Sequence, residues 1–465
     1  MRLYTVFKVH KVAGLVLGLI LLLLGFTGFF LNHDNFNFLW DVSVSDRVLP
    51  QSIVDKKRKA FQAYKINEKN PQHIIAGSRM GLFVSFDGGH SFKKTLSQQV
   101  LAITPAISSS LQEDFQTLYS ATTNGIYHSE DAGLNWQQIA LVNEVVESFS
   151  LFEGHLYAVV DKRDVYKINL KSLQTEKLDI TPILSRELPQ KVTLSRLVRD
   201  LHYGRGIFSG NSSLYINDVA AITLTFLGFS GFLIYFMMRR IRMKKKNNKK
   251  HFKLWRKLHS NIVVLLVFIP ILMLLITGVF LDHSKLFQPF MKKTILNTSY
   301  LPPVYKDLKT DIWGFDFDGK YYRMGNRLGV FNSTDLKHWK LDSEGFAYRL
   351  KRINDELFIS GMGSPNRQLT QQGWKVLKGT PHMPRDVYEL DNKTVFYNAR
   401  NKDLKFPKST DTPLYYVMLG LHDGELFSGN WVFINDAAAF SGVILLITGF
   451  IKWRRRKKQK KSVAC

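Results

Sequence analysis

The chain has 465 residues, 45% of them hydrophobic, a single cysteine and a formal net charge of +26. One thiol, Cys465 at the end of the chain, excludes an internal disulfide framework, and no C-x-x-C-H is present for covalent haem attachment. The positive excess is not spread as a nucleic-acid footprint: residues 239–257 carry eleven Lys or Arg and no acid, residues 452–461 carry eight, and the first eleven residues carry three. All three clusters abut apolar runs, which points to a lipid bilayer as partner and to no nucleic acid.

In chain order, residues 1–33 read as a first transmembrane helix, because residues 12–31 run twenty positions without a charge, enough to cross a hydrocarbon core of ~30 Å. That run exceeds the h-region of a signal peptide, and no small-residue cleavage site follows it. Residues 34–215 read as an outer β segment, 216–240 as a second span, 241–258 as a basic loop and 259–283 as a third span. Residues 284–432 form a second outer β segment, 433–453 a fourth span and 454–465 a basic tail. The positive-inside rule then puts both termini and the basic loop in the cytoplasm and both long segments outside. The expected class is an α-helical membrane protein of four spans with an all-β extracytoplasmic part.

The first outer segment contains "GLFVSFDGGHSF" and, 44 residues later, "GIYHSEDAGLNW". Both follow S-x-D-x-G-x-x-(F/W), at Ser85, Asp87, Gly89, Phe92 and at Ser129, Asp131, Gly133, Trp136. These resemble Asp-box hairpins, in which a turn acid and a glycine close a β-hairpin over a packed aromatic ring. A third strand cluster, "HLYAVVDKRDVYKINLKSLQTEKL", lacks the box. In the second segment "GVFNSTDLKHWKL" keeps Ser333, Asp335 and Trp339 without the glycine. A period near 44 with strand-turn-strand texture is the size of a propeller blade, so each segment is expected to supply about three blades of one β-propeller; two separate β-domains are the alternative. The boxes read as structural. Sialidases share them, but no arginine triad with a tyrosine nucleophile assembles here.

The two halves are copies. "KVHKVAGLVLGLILLLLGFTGFFLNHDNF" aligns with "KLHSNIVVLLVFIPILMLLITGVFLDHSKLF", both K-x-H, span, T-G-x-F-L-x-H. "LHYGRGIFSGNSSLYINDVAA" aligns with "LHDGELFSGNWVFINDAAA". Two spans per copy give both copies one orientation, related by a pseudo-twofold along the membrane normal. His10 then matches His259, His202 matches His422, and His33 matches His283. Equivalent residues near such an axis meet across it, and a planar cofactor on the axis would receive one imidazole from each side. His10 and His33 lie 23 residues apart, roughly 35 Å along a helix, so one cofactor cannot serve both faces but two can. Imidazole is a common axial ligand of haem iron, and ionisable residues facing a bundle are functional by default. Zinc or copper fits less well, since no Cys, Met or carboxylate cluster completes a small-ion site.

These paired motifs resemble the PepSY-associated transmembrane family of bacterial inner-membrane proteins, over the spans and their flanks. The resemblance implies non-covalent haem b, one or two per chain, and ferric or ferrisiderophore reductase activity. It carries onto His10 with His259 for a cytoplasmic-side iron and His202 with His422 for an outer iron, with His33 and His283 as the rival outer pair. No clear PepSY domain is visible, which leaves the acceptor open. The expectation is transmembrane electron transfer to a ferric chelate or a periplasmic partner. No G-x-G-x-x-G stands in a strand-turn-helix context, so the electron donor is a quinol or a separate cytoplasmic reductase. The competing class is a non-redox scaffold whose β-propeller binds a protein or glycan; a transporter is weaker, for want of mid-span ionisable residues. Asn217–Asp218 and Asn435–Asp436 read as helix N-caps. Thr27–Gly28, Ser230–Gly231, Thr277–Gly278 and Thr448–Gly449 read as close-packing sites, with room for a macrocycle at Gly28 and Gly278.

Overall fold

The structure is a computed structural model and describes residues 3–107, 113–243, 249–260, 266–353, 356–391, 393–401, 403–409 and 411–462. Part of the expected third span (261–265), residues 244–248 of the expected basic loop and Cys465 lie outside the described residues.

The helices are α1 (Leu3–Asn32), α2 (Leu194–His202), α3 (Ser212–Arg242), α4 (Lys249–His259), α5 (Phe268–Asp282), α6 (Ser284–Lys293), α7 (Leu414–Asp423) and α8 (Val432–Ser462), apart from one-turn pieces. Among the described residues α1, α3 and α8 are long and apolar enough to cross a membrane. The described part of the third expected span is α5, of 15 residues, or roughly 22 Å at 1.5 Å per residue. Its continuation α6 is bent from it by 105°. Leu21 of α1, Ala220 of α3, Ile271 and Leu275 of α5 and Leu446 of α8 share one buried cluster. Gly25 lets α1 and α3 touch: a Cβ there would stand 2.7 Å from the Ala221 carbonyl oxygen.

Each outer segment folds into three antiparallel sheets. Residues 61–96, 100–140, 146–177, 314–344 and 347–376 make five four-stranded meanders, and 386–397 a two-stranded one. Their first strands are β1 (Phe61–Asn67), β2 (Val100–Ile107), β3 (Val146–Phe152), β4 (Gly314–Phe317), β5 (Ala347–Ile353) and β6 (Asp386–Leu390). Each of these lies against the next, and β6 lies against β1, so the circuit closes. Cores form where sheets of different halves meet. Tyr157 and Val159 pack with Phe315, Met324 and Trp339 in one cluster, and Tyr64 with Tyr388 and Tyr397 in another. Each such buried ring or aliphatic chain contributes about 1.5–3 kcal/mol.

The boxed turns explain the S-x-D-x-G spacing. Asp87 Oδ1 accepts from Ser85 Oγ (2.7 Å) and from the Ser91 amide (2.9 Å). Asp131 repeats this with Ser129 (2.8 Å) and the Asn135 amide (2.8 Å). Hydrogen bonds from Ser91 and Ser85 hold the Asp87 carboxyl below the usual carboxylate range. In the third box, which lacks glycine, Leu336 takes the left-handed conformation (φ 64°), and Trp339 Nε1 donates to its carbonyl at 3.0 Å.

Two short pairings tie the outer part to the helices, and both join different halves. Ser43–Ser45, after α1, pairs with Asp411–Pro413, before α7. Lys191–Thr193, before α2, pairs with Ile295–Asn297, after α6. The entry of each half is thereby stitched to the exit of the other.

Candidate functional site: two histidine pairs

Two short helices deliver the outer histidines. α2 is capped by Thr193, whose hydroxyl accepts from the Arg196 amide at 3.2 Å, and ends at His202. α7 ends one residue after His422. Each is stopped by a glycine with positive φ, Gly204 (65°) and Gly424 (81°). The L-H-x-G motif is thus a last helical turn carrying imidazole, followed by a terminator. At Gly424 a Cβ would also strike the Trp431 ring at 2.1 Å.

The structure brings His202 to His422, with ring centroids 6.5 Å apart and planes at 60°. It brings His10 of α1 to His259, the last residue of α4, at 6.4 Å and 87°. Both pairs join one half of the chain to the other.

A hydroxyl holds each of the four rings. His10 Nδ1 lies 2.8 Å from Thr448 Oγ1 and His259 Nδ1 lies 2.7 Å from Ser230 Oγ. His202 Nδ1 lies 3.0 Å from Thr277 Oγ1 and His422 Nδ1 lies 2.9 Å from Thr27 Oγ1. Every one of these hydroxyls is buried and donates its single proton to a carbonyl one helical turn back: Leu23 (2.6 Å), Phe226 (2.6 Å), Met273 (2.7 Å) and Ile444 (2.7 Å). The hydroxyl oxygen must therefore accept from Nδ1–H. That fixes the tautomer and leaves the lone pair on Nε2, the arrangement a metal-ligating imidazole requires. Burial, with His422 alongside, pushes His202 down to about 3, and burial lowers His422 as well, so both rings are neutral at physiological pH.

The residue after each hydroxyl is glycine, and it faces the same ring. A Cβ would stand 3.2 Å from His422 Cε1 at Gly28, 3.5 Å from His202 at Gly278, 3.6 Å from His259 at Gly231 and 3.7 Å from His10 at Gly449. The T-G and S-G pairs are therefore ring holders as well as packing sites. Their role was hidden because each histidine partner lies in the other copy; Thr27 and His422 are 395 positions apart.

A cavity of about 350 Å³ opens between His10 and His259, within the ~300–1,000 Å³ range of small-molecule sites. Gly14, Gly18 and Gly228 help form its wall, and Lys11 and Arg256 stand in its lining. A metal–imidazole bond of about 2 Å on each side, plus the ring radii, places two opposed ligand rings roughly 6 Å apart. Observed spacings, fixed tautomers and the glycine-walled cavity all fit a flat bis-imidazole cofactor.

His33 and His283 are placed differently. His33 Nε2 lies 3.1 Å from both carboxylate oxygens of Asp218, and His283 Nε2 lies 2.6 Å from Asp436. Each contact stays within its own half, and in each the Nε2 nitrogen faces a carboxylate. Asp218 and Asp436 are not helix caps, contrary to the sequence expectation, because α3 and α8 begin earlier, at Ser212 and Val432. The adjacent asparagines cap a neighbour's opposite end instead. Asn217 Nδ2 donates to the carbonyls of Leu201 and His202 (3.0 and 2.9 Å), and Asn435 Nδ2 to that of His422 (3.0 Å). Among the described residues no group of three or more His, Cys, Asp or Glu side chains gathers as a small-ion site.

The family described as the PepSY-associated TM region matches residues 7–456. No curated protein matches. Among solved structures, the similar ones include an ancestral GH74 enzyme, 11% identical at TM-score 0.32 over 71% of this chain and 32% of that one. They also include the computationally designed Ika8 protein, 8% identical at 0.32 over 72% and 80% of the two chains. BamB from Moraxella catarrhalis is 10% identical at 0.26 over 67% and 69%. This chain thus spans about a third of the GH74 enzyme, and likenesses at such scores carry no argument.

Proposed function

The chain belongs to the PepSY-associated transmembrane family, and from that premise we propose that it is a transmembrane electron conduit reducing an acceptor outside the membrane, a ferric iron chelate. The observation that carries this reading is the double pair of histidines, each ring oriented by a buried hydroxyl so that Nε2 bears the lone pair. His10 with His259 would hold one haem b and His202 with His422 a second. Haem b, when bound, would supply a one-electron iron couple. Thr448, Ser230, Thr277 and Thr27 fix ring orientation and raise ligand basicity through their bonds to Nδ1. The glycines keep the space beside each ring clear.

In this proposal four spans cross a bacterial inner membrane with both termini and the basic loop inside, as the charge clusters indicate. The closed circuit of sheets is a six-bladed β-propeller on the periplasmic side. The donor is a membrane quinol or a cytoplasmic reductase.

Protein purified from haem-replete cells should give a reduced-minus-oxidised haem b spectrum with two haems per chain. His10→Ala and His259→Ala should each remove the same haem, and His202→Ala and His422→Ala the other. In liposomes loaded with reductant, ferrous iron should appear outside when a ferric chelate is supplied there. A colourless, metal-free preparation would overturn the conduit and favour a scaffold that binds a protein or glycan.

A further inference from the structure

Past the ends of α1 and α2 the chain meets the β part in a cationic chamber, at Asp34 and at Arg205. Asp34, two residues past α1, lies deep in the molecule yet keeps 48% of its side chain accessible. Tyr348 of β5 and Tyr415 of α7 are likewise deep but not closed over. Groups that are deep and still accessible line an internal space. The chain ties this space to the outer histidine pair: Arg205 follows His202 by three positions, and Tyr415 precedes His422 by seven on α7.

Four cations converge on this space from four separate elements, and two acids answer them. Arg79 reaches Asp34 at 3.1 Å, and Lys162 reaches Glu147 at 2.9 Å. Among the described residues Arg205 and Arg349 form no salt bridge, although Arg205 acts on Asp34 and Asp311 from farther off. Arg205 lies over the Trp313 ring at 4.8 Å, with Lys162 over the same ring at 4.7 Å. Arg349 donates to the backbone carbonyls of Glu147 (2.6 Å) and Leu101 (3.3 Å), and its Nε is buried without a partner. Asp311, the other acid that feels Arg205, is taken by Arg327 at 2.7 Å, so cations outnumber acids here. Tyr348 senses it: burial raises a phenol, but Arg349, Arg385, Lys162 and Arg79 outweigh that and bring it below its ordinary value.

We propose that this chamber is the acceptor site, and that it takes ferric chelates of net negative charge, bound through carboxylate or catecholate oxygens by Arg205 and Arg349, in preference to neutral or cationic chelates. Guanidinium groups pre-placed on rings and carbonyls suit such oxygens, because little side-chain freedom is lost on binding. Arg205, three positions after His202, ties the site to the end of the helix that carries that ring. This inference rests on the proposed function and narrows its substrate class.

The test uses the full chain in detergent and gallium(III) complexes, which bind like ferric ones but are not reduced. Titration of the anionic gallium citrate complex, followed by calorimetry and by quenching of tryptophan fluorescence, should show binding that weakens with added salt. Arg205→Gln and Arg349→Gln should each lower its affinity by about tenfold or more, the scale of one lost charge-assisted hydrogen bond, while Arg205→Lys recovers part of it. A neutral gallium trihydroxamate complex should bind more weakly and respond to neither variant. Equal affinity for the neutral complex, or unchanged citrate binding in both well-folded variants, would overturn the site. Gallium binding needs no electron transfer, so a chain that binds it as described but reduces nothing in liposomes keeps the site and loses the conduit.

Discussion

A hydroxyl has one proton, and at Thr27 it goes to the Leu23 carbonyl. The consequence for His422 is a fixed tautomer. Thr27→Val keeps the shape and removes the acceptor for Nδ1–H. It should leave the cytoplasmic-side haem untouched and shift the midpoint potential and low-spin electron resonance signal of the outer haem alone. An unchanged signal would show that the hydroxyl does not orient the ring. Gly28→Leu should go further and displace the ring, removing the outer haem band. Sequence alone marks Thr27–Gly28 as a small-residue pair but cannot name its partner, because nothing local links it to a histidine in the other copy. Lys351 offers a separate test of burial. Desolvation, with Lys65 alongside, pushes it down to about 8 from 10.5. Between those values the unfolded chain binds the extra proton, so stability rises with pH across that window. Lys351→Met should flatten that rise, read as the denaturation midpoint at pH 7.5 and 9.5.

At the scale of elements, the apolar lengths and the boxed hairpins were legible, because each is set by residues close in sequence, whereas L-H-x-G showed only as a repeated motif inside an expected β segment and not as a helix end. The long helices α1, α3 and α8 follow from uncharged length, and the strands around Ser85 and Ser129 from turn chemistry. The Asn-Asp pairs were misread as caps since F-S-G-N lies just upstream and the true helix starts are masked by its polar character. Their actual work is tertiary: Asn435 satisfies the His422 carbonyl at the exposed end of α7. Asn435→Leu leaves that carbonyl unpaired, which costs about 1–3 kcal/mol. The expected result is a lower thermal midpoint with the outer haem lost before the inner one on heating. Loss in the reverse order would show that the pin is unimportant to α7.

Across the whole molecule, the contacts that build the two ring pairs cross between the copies. Both ring pairs, all four ring-to-hydroxyl bonds and both stitching strand pairs take one member from residues 1–243 and one from 249–462. A chain cut in the basic loop should therefore yield two halves that copurify and recover the spectrum together, while neither alone holds haem. Retention of haem by one half expressed singly would contradict the crossed arrangement. The duplication itself was plain in the paired motifs; the exchange of strands and hydroxyls between copies was not, because alignment reports which residues correspond and not which ones touch.

That exchange imposes a schedule on biogenesis. When α3 has entered the membrane, the first half still lacks Thr277, Thr448 and the strand Asp411–Pro413. The remaining two hundred or so residues take roughly 10–45 s to synthesise at ~5–20 residues per second. For most of that interval His202 lacks His422, His10 lacks the Thr448 hydroxyl, and the edge of β1 lacks β6. On the proposed reading the outer group would be loaded only after His422 arrives, and the ring of His10 would gain its hydroxyl partner only with the last helix.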